Sequence, residues 1–395
     1  MILEPFAGPG GTSTGLALAG RTDTIGIELD PDACHTAAAA GHARIRADVA
    51  TSPLDHLAGR VEGLAISPPC TPWSKAGKRL GLLDQPRILD HFDTVTAAGG
   101  WVDPGGEGWA DPRSRLTLEP VRWVNAVRPA WVVCEQVPDV LPLWERTAAW
   151  LRSVGYAAVC GVLSAERFGV PQTRQRAFLV AARDGRPVRL PAPSHARYVP
   201  GRRLDEPADG LFDPPARERA VPPSDRGLLP WVSMADALGW DVDRPARTVC
   251  GHRRPRWAYG AGQSYGTGWA LAERQANDAH GWEIRSSSRT KVNDRTRPRD
   301  ADEPSMTVAF GHSDMRWFPR GSDDAHQDTV RLSIGQAAVL QSFPPDYPWH
   351  GTKSARFQQV GNAVPPLLMA AVAGELLGVD WRARLWGHDA AEVAG

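Results

Sequence analysis

Cys70 lies in a run of unusual stiffness, Ser67 to Ser74, that follows the apolar stretch 64–66. A free cysteine is most often a small buried hydrophobe. Here Pro68, Pro69 and Pro72 fix the backbone, the neighbours are polar, and Lys75, Lys78 and Arg79 follow closely, a setting that favours a nucleophilic thiolate. Glu135 comes just past the apolar stretch 131–134. An acid beside a thiolate can protonate a ring nitrogen while the sulfur adds to the ring. Gln172, Arg174 and Arg176 alternate ahead of a third apolar stretch, so a strand period places them on one face. Two guanidiniums there can hold a carbonyl oxygen or a phosphate. Solvated strand ends are the plainer alternative for the acid and the arginines.

A second set of residues would hold a ligand. Phe6, Ala7, Gly8, Gly10 and Gly11 form a turn between the apolar start of the chain and a helical pattern over 12–19. Glycines let a ligand approach the backbone, and a helix N-terminus offers unpaired N–H groups. Glu28 ends the next apolar stretch, where a carboxylate accepts ribose hydroxyls, and Asp48 follows the run 44–46 within reach of an adenine amino group. The turn lacks the lysine of a phosphate loop, and Ser13 stands where a dinucleotide motif has its third glycine. That favours a nucleoside without pyrophosphate, such as S-adenosylmethionine; a purely structural tight turn stays open.

The elements that must position these residues form an α/β pattern over residues 1–182, with short apolar runs separated by helix-compatible stretches, which implies a parallel sheet covered on both faces. From 183 to about 330 the texture turns to Pro, Gly, Arg and Asp, predicting a smaller, loop-rich second domain. Helical periodicity returns from Leu332: Ser333 and Gln336 are placed to cap a helix through Leu340, and 367–377 reads as an apolar helix packed on the sheet. A weak repeat relates 243–249, with Gly251, His252, Arg256 and Trp257, to 302–308, with Gly311, His312, Arg316 and Trp317. Shared role and chance are both open for it.

The 395 residues carry 45 basic and 45 acidic side chains and are 42% hydrophobic, which excludes a fibrous, low-complexity or highly charged chain. Net charge zero conceals local bias. Only four basic residues are lysine, leaving 41 arginines, and residues 251–299 carry a net charge of +6. Arg253, Arg254, Arg256, Arg295, Arg297 and Arg299 are candidates for phosphate or guanine contact or are ordinary solvated charges. Trp257, Tyr259, Trp317 and Phe318 are read as core rather than groove. Five cysteines show no CxxC pair and no metal spacing, so no metal is expected, and the odd count fits a reducing compartment. Glu4 and Pro5 interrupt any leader-like apolar run, and no stretch reads as a membrane span of about 18 apolar residues.

In their order, the glycine turn, Glu28, Asp48, Pro68-Pro69-Cys70, Glu135, the Gln172–Arg176 alternation and a terminal run Gln359 to Pro365 resemble the cytosine-5 DNA methyltransferases over 2–182 and about 331–377. The resemblance implies a Rossmann-like S-adenosylmethionine methyltransferase sheet in 1–182, completed by a C-terminal helix in 355–395. It also implies a target-recognition domain in 183–354, with a hinge motif in 331–347 that includes Arg331, Leu340, Gln341, Phe343, Pro344 and Tyr347. It assigns Phe6 to adenine stacking, Glu28 to the ribose, Asp48 to the amino group and Asn362 to closing the site. Ala7, Gly8, Gly10, Gly11, Leu29, Val49, Pro69, Leu116 and Ala363 complete the cofactor set. Cys70 would add to C6 of cytosine, Glu135 would engage N3, Arg176 would hold O2, and Arg174 would steady a neighbouring phosphate or the acid. The base must first leave the duplex, and 71–115 is expected to be a mobile loop that closes over it.

There are departures from the family pattern. Glu4 replaces an aspartate, Thr71 a glutamine and Gln136 an asparagine, and the loop carries an insert around 99–108. The implied partner is double-stranded DNA, met by a monomer without a membrane, with a cognate restriction endonuclease acting separately. The implied location is the cytoplasm of a bacterium or of a phage-infected cell, at the nucleoid. An RNA cytosine methyltransferase of the same fold, a folate-dependent pyrimidine methylase and a catalytically dead DNA-binding module are the alternatives. The second would not need Glu28 and Asp48, and the third is disfavoured because every motif residue is present.

Overall fold

In a computed structural model, residues 1–74, 78–198, 223–239, 282–286, 298–308, 315–319 and 330–382 are described. Seven strands form the main sheet: β1 Ile2–Pro5, β2 Thr24–Glu28, β3 Ala43–Arg46, β4 Gly63–Ile66, β5 Trp131–Gln136, β6 Ala157–Ser164 and β7 Gln175–Ala182. Their order is β3-β2-β1-β4-β5-β7-β6. The sheet is not wholly parallel as expected: β7 runs antiparallel to both β5 and β6. This reversal brings the start of β7, with Arg176, to the sheet edge where the other strands end.

Helices α1 Gly11–Leu18, α2 Pro31–Ala39, α3 Gly81–Ala98, α4 Glu119–Val127 and α5 Leu141–Ser153 belong to the same part of the chain. Alternation along β5 divides the core. Val132 and Cys134 face a cluster with Ile88 and Phe92 of α3, Trp123 of α4 and Trp144 of α5. Trp131 and Val133 face a second cluster with Leu16 of α1 and Leu368, Met369 and Val372 of the C-terminal segment. A strand buried on both faces reads as one apolar run, which explains why β5 is legible in sequence.

Four antiparallel strands make the second sheet: β8 Trp282–Ser286, β9 Arg299–Asp300, β10 Met315–Pro319 and β11 Val330–Arg331, in the order β11-β10-β8-β9. Short helices α6 Met234–Leu238 and α7 Ile334–Leu340 pack beside it. Both begin with capping boxes, Ser233 with Asp236 and, as the sequence predicts, Ser333 with Gln336. Trp317 and Phe318 are buried, in keeping with a core role. Arg299 is also buried, its guanidinium 4.7 Å from the Tyr198 ring centre, so it presents no surface for phosphate contact. Lys75, Cys250, Arg253, Arg254, Arg256, Trp257, Tyr259, Arg295, Arg297 and the first copy of the repeat lie outside the described residues.

One further expectation needs correction. Segment 71–115 is not a single loop, because α3 occupies 18 of its residues. The C-terminal helices α8 Lys353–Asn362 and α9 Pro366–Leu377 together are long and apolar enough to cross a membrane. Yet 78% of their most apolar window is buried inside the protein, which marks a core element. Pro366 starts α9 and Gly378, at φ 68°, ends it.

Candidate active site

The glycine turn after β1 is a strained piece of backbone. Phe6 has φ 61°, Gly8 55° and Gly10 113°; a non-glycine residue in the left-handed region costs about 1 kcal/mol or more and persists only where its surroundings enforce it. Two bonds do so here. The Ala7 N–H donates to the Ile27 carbonyl (3.1 Å), and the Gly8 N–H donates to Glu28 Oε2 (2.8 Å). The other Glu28 oxygen accepts the N–H groups of Leu29 and Asp30, both at 2.8 Å, so this carboxylate stitches the end of β1 to the end of β2.

The glycines divide their labour. A Cβ on Gly8 would meet nothing within 4 Å, whereas one on Gly11 would lie 2.2 Å from the Val364 carbonyl oxygen and one on Gly10 2.4 Å from the Tyr347 hydroxyl. Gly8 therefore leaves the backbone open. Gly10 and Gly11 are required by close approach of the protein's own C-terminal segment, a reason the sequence does not show. Tyr347, from the proposed hinge motif, donates to the Pro9 carbonyl at 2.7 Å.

Ser13 is not a missing glycine: its hydroxyl donates to buried Glu4 (2.8 Å) and accepts from Arg44 (2.9 Å). Burial pushes the Glu4 carboxyl up, and Arg44 opposes it. His42, 3.1 Å from the Thr14 hydroxyl, is pushed down to about 4 by burial and by Arg44.

Of the remaining cofactor candidates, Leu29 and Asp48 follow the ends of β2 and β3, on the sheet edge where β1 also ends. Leu29 is 60% exposed at the end of β2. Asp48 is exposed two residues beyond β3 and accepts the Ala50 N–H at 2.9 Å, while Val49 is buried and its carbonyl accepts from Arg122. Leu116 is half-buried in the short turn of helix Ser114–Leu118. Asn362 is exposed at the last position of α8, followed by buried Ala363.

One strand further along, β4 ends and the chain turns through Pro68, Pro69 and half-buried Cys70. The fully buried Gln136 holds this turn: its amide donates to the carbonyls of Pro68 (3.0 Å) and Pro69 (3.1 Å), while its oxygen accepts the Val137 N–H (2.7 Å). A departure from the family residue thus supplies the clamp on the cysteine turn.

Glu135 is not past β5 but inside it, only 6% exposed, with Oε1 2.9 Å from Arg176 Nε. Burial pushes its carboxyl up; the cations of Arg176 and Arg174 and a hydrogen bond with Ser67 pull it back. Arg79 pairs with Asp139 at 2.8 Å and Lys78 is exposed, whereas Arg113 and Arg174 are the arginines whose charge is favoured by a Cys70 thiolate.

Arg174 acts on Glu135 through its charge and is itself held by backbone. It is 1% exposed, and its guanidinium donates to the carbonyls of Gly361 (2.9 Å), Ala363 (3.2 Å) and Val308 (3.4 Å). Neighbouring Gln172 donates to the Leu340 carbonyl and to Gln341 Oε1, and accepts from the Val308 N–H. Gln341 in turn donates to the Ala363 carbonyl at 2.7 Å. Sequence reasoning missed this buried junction between β7, the hinge segment and the residues flanking Asn362, because it joins residues up to 189 positions apart.

A sheet in which β7 alone is reversed, with a glycine turn after β1 and an acid at the end of β2, defines a Rossmann-like methyltransferase fold. The sequence profile of the C-5 cytosine-specific DNA methylase family matches residues 1–92, 104–219 and 247–378, and the chain belongs to that family; it is a DNA cytosine-5 methyltransferase. The first unmatched gap overlaps the insert noted in the sequence. The chain is 26% identical over 402 residues to type II methyltransferase M1.HphI of Haemophilus parahaemolyticus, covering 95% of this chain and 86% of that one. It is 25% identical over 407 residues to type II methyltransferase M.DdeI of Desulfomicrobium norvegicum, covering 94% and 87%. Its fold matches the crystal structure of S. pombe Dnmt2 methyltransferase with a TM-score of 0.53 at 16% identity, over 95% of this chain and 98% of that one.

Proposed function

We propose that Cys70 acts as a transient nucleophile on a cytosine swung out of duplex DNA, with Glu135 and Arg176 holding the ring. The observation that carries this reading is the junction at the sheet edge: a cysteine turn clamped by Gln136 beside a buried Glu135–Arg176 pair. C5 of cytosine is a poor nucleophile, so the ring must be activated before it can take an alkyl group. Cys70 sulfur bonds to C6 while Glu135 delivers a proton to N3 and Arg176 donates to O2; C5 then carries the electron pair that forms the new carbon–carbon bond. Loss of the C5 proton expels the Cys70 sulfur as thiolate, N3 returns its proton to Glu135, and the ring is restored. An elevated Glu135 pKa keeps the acid able to donate. Extruding the base costs a few kcal/mol, offset by contacts in the pocket.

The methyl donor that the site suits is S-adenosylmethionine, which supplies an electrophilic methyl group on sulfonium. The fit rests on the open backbone at Gly8, the N-terminus of α1 without a side-chain cap, the Glu28 carboxylate, exposed Asp48 and exposed Leu29. Phe6 and Leu29 would flank its adenine, Glu28 its ribose and Asp48 its amino group, while Ala7, Gly8, Gly10, Gly11, Val49, Pro69, Leu116, Asn362 and Ala363 would complete the walls. Arg174 positions the Asn362 wall through the carbonyls on either side of it.

On this reading residues 1–182 with 355–395 form the catalytic unit and 183–354 the recognition unit. One chain carries the complete site, which supports action as a monomer. The type II names of its relatives support a cognate restriction endonuclease acting separately, and a DNA substrate supports a location at the bacterial or phage chromosome in the cytoplasm. Labelled methyl transfer from S-adenosylmethionine to duplex DNA and to tRNA, by the native protein and by Cys70→Ala, tests the assignment. Label is expected on duplex DNA alone and absent with the variant; retained transfer by Cys70→Ala would overturn it. Bisulfite sequencing of DNA from expressing cells then reads the target site.

A further inference from the structure

We propose that Asp32, His35 and His350 form a binding site for a divalent transition metal of the zinc type, clamping α2 to the segment that leads into α8. Their candidate ligand atoms, one per residue, all lie within 4.8 Å of one another. His350 Nδ1 is already 3.2 Å from Asp32 Oδ1, and the rings of His35 and His350 meet edge to face with centres 4.8 Å apart. Zinc bonds of about 2.0–2.1 Å in a tetrahedron bring ligand atoms roughly 3.4 Å apart, so small side-chain rotations close the gap.

The scaffold is built for this juxtaposition. Asp32 and His35 are three residues apart on α2 and therefore share a face. His350 arrives from 318 positions away and its backbone is pinned on both sides. Its N–H donates to the Thr36 hydroxyl (2.8 Å), its carbonyl accepts from Gln359 (2.9 Å), and buried Thr36 donates to Gln359 (2.7 Å). Gly351, at φ +100°, lets the chain pass directly against the acid: a Cβ there would lie 2.4 Å from Asp32 Oδ2. Supported ligands of this kind lose little freedom on metal binding.

The donor set selects the ion. Two imidazoles and one carboxylate with an open solvent side suit Zn2+, and also Ni2+ or Cu2+, with water completing the coordination. One carboxylate is too few for Ca2+ or Mg2+, which require mostly oxygen. The metal would tie the helix that follows Glu28 to the segment preceding Asn362, so binding should stabilise the folded state by mass action.

Tag-free full-length protein, stripped with chelator, is titrated with Zn2+ by calorimetry and with Co2+ by absorption. One equivalent is expected to bind, to raise the melting temperature and to give a Co2+ spectrum without a thiolate charge-transfer band. His35→Ala and His350→Ala should each weaken binding at least tenfold, Asp32→Asn less, and the double histidine variant should abolish it. All should melt like the native protein in chelator, and His350→Gln serves if His350→Ala does not. Binding that survives in the double variant, a thiolate band placing the metal on cysteine, or no binding by the native protein would overturn the site and leave an ordinary surface ion pair.

Discussion

The two turns at the carboxyl edge of the main sheet are held by opposite means. The glycine turn after β1 is fixed by its own backbone and by close approach of the distant C-terminal segment: Phe6 and Gly8 are left-handed, Gly11 touches Val364 and Pro9 accepts from Tyr347. The cysteine turn after β4 is stiffened by prolines and gripped by one side chain, Gln136, on two carbonyls. The glycine turn spends two N–H groups, those of Ala7 and Gly8, on the end of β2 and takes the rest of its support from packing. A turn that presents a reactive side chain can spend its carbonyls on a clamp.

Changes at each turn should therefore fail differently. Gly11→Ala is expected to be the most damaging, because the Val364 carbonyl cannot yield without moving α9; overpacking of this kind costs about 1–3 kcal/mol, seen as a lower melting temperature together with lost cofactor binding. Gln136→Ala should leave cofactor affinity intact and lower kcat about tenfold, roughly 1.4 kcal/mol of barrier, with Gln136→Asn between the two. Equal losses in cofactor affinity would erase the distinction between the turns.

Arg174→Met sharpens it further. Since Arg174 holds the carbonyls around Asn362, cofactor binding should weaken about tenfold while DNA affinity and its salt dependence stay unchanged. A salt slope reduced by about one would instead mean a phosphate contact.

The smallest effect is on pH. His42, beside the glycine turn, titrates near 4 when folded against about 6.5 when unfolded, so the unfolded state binds more protons in that window and stability falls as pH drops through it. Glu166, held up to about 7 by burial, has the opposite slope over about 4.5–7, because there the folded state binds more protons. The readout is therefore the difference between native and His42→Gln protein: the variant should lose less melting temperature on going from pH 6.5 to 4.5. Equal losses would mean that His42 is not buried neutral.

What the sequence discloses follows from the range of the interactions. The placement of Cys70 and Glu28 at strand ends was legible because each ends or follows a local apolar run, and the Ser333 cap because its partner is three residues away. The reversal of β7 was not, since strand direction is set by pairing and not by alternation. Nor was the true role of Gly10 and Gly11, whose crowding partners Tyr347 and Val364 are more than three hundred residues distant. The carbonyl partners of Arg174 were hidden for the same reason, since two of them lie more than 180 residues away.

The direct test of the account is covalent capture on duplex DNA bearing 5-fluorocytosine at the target position. After methyl transfer C5 carries fluorine where a proton would leave, so elimination is blocked and the Cys70–C6 bond should persist. A denaturation-resistant, cofactor-dependent protein–DNA complex is predicted for the native protein, with the DNA mapped by mass to Cys70, and none for Cys70→Ser. No complex from an active native enzyme, or attachment at another residue, would contradict the central claim.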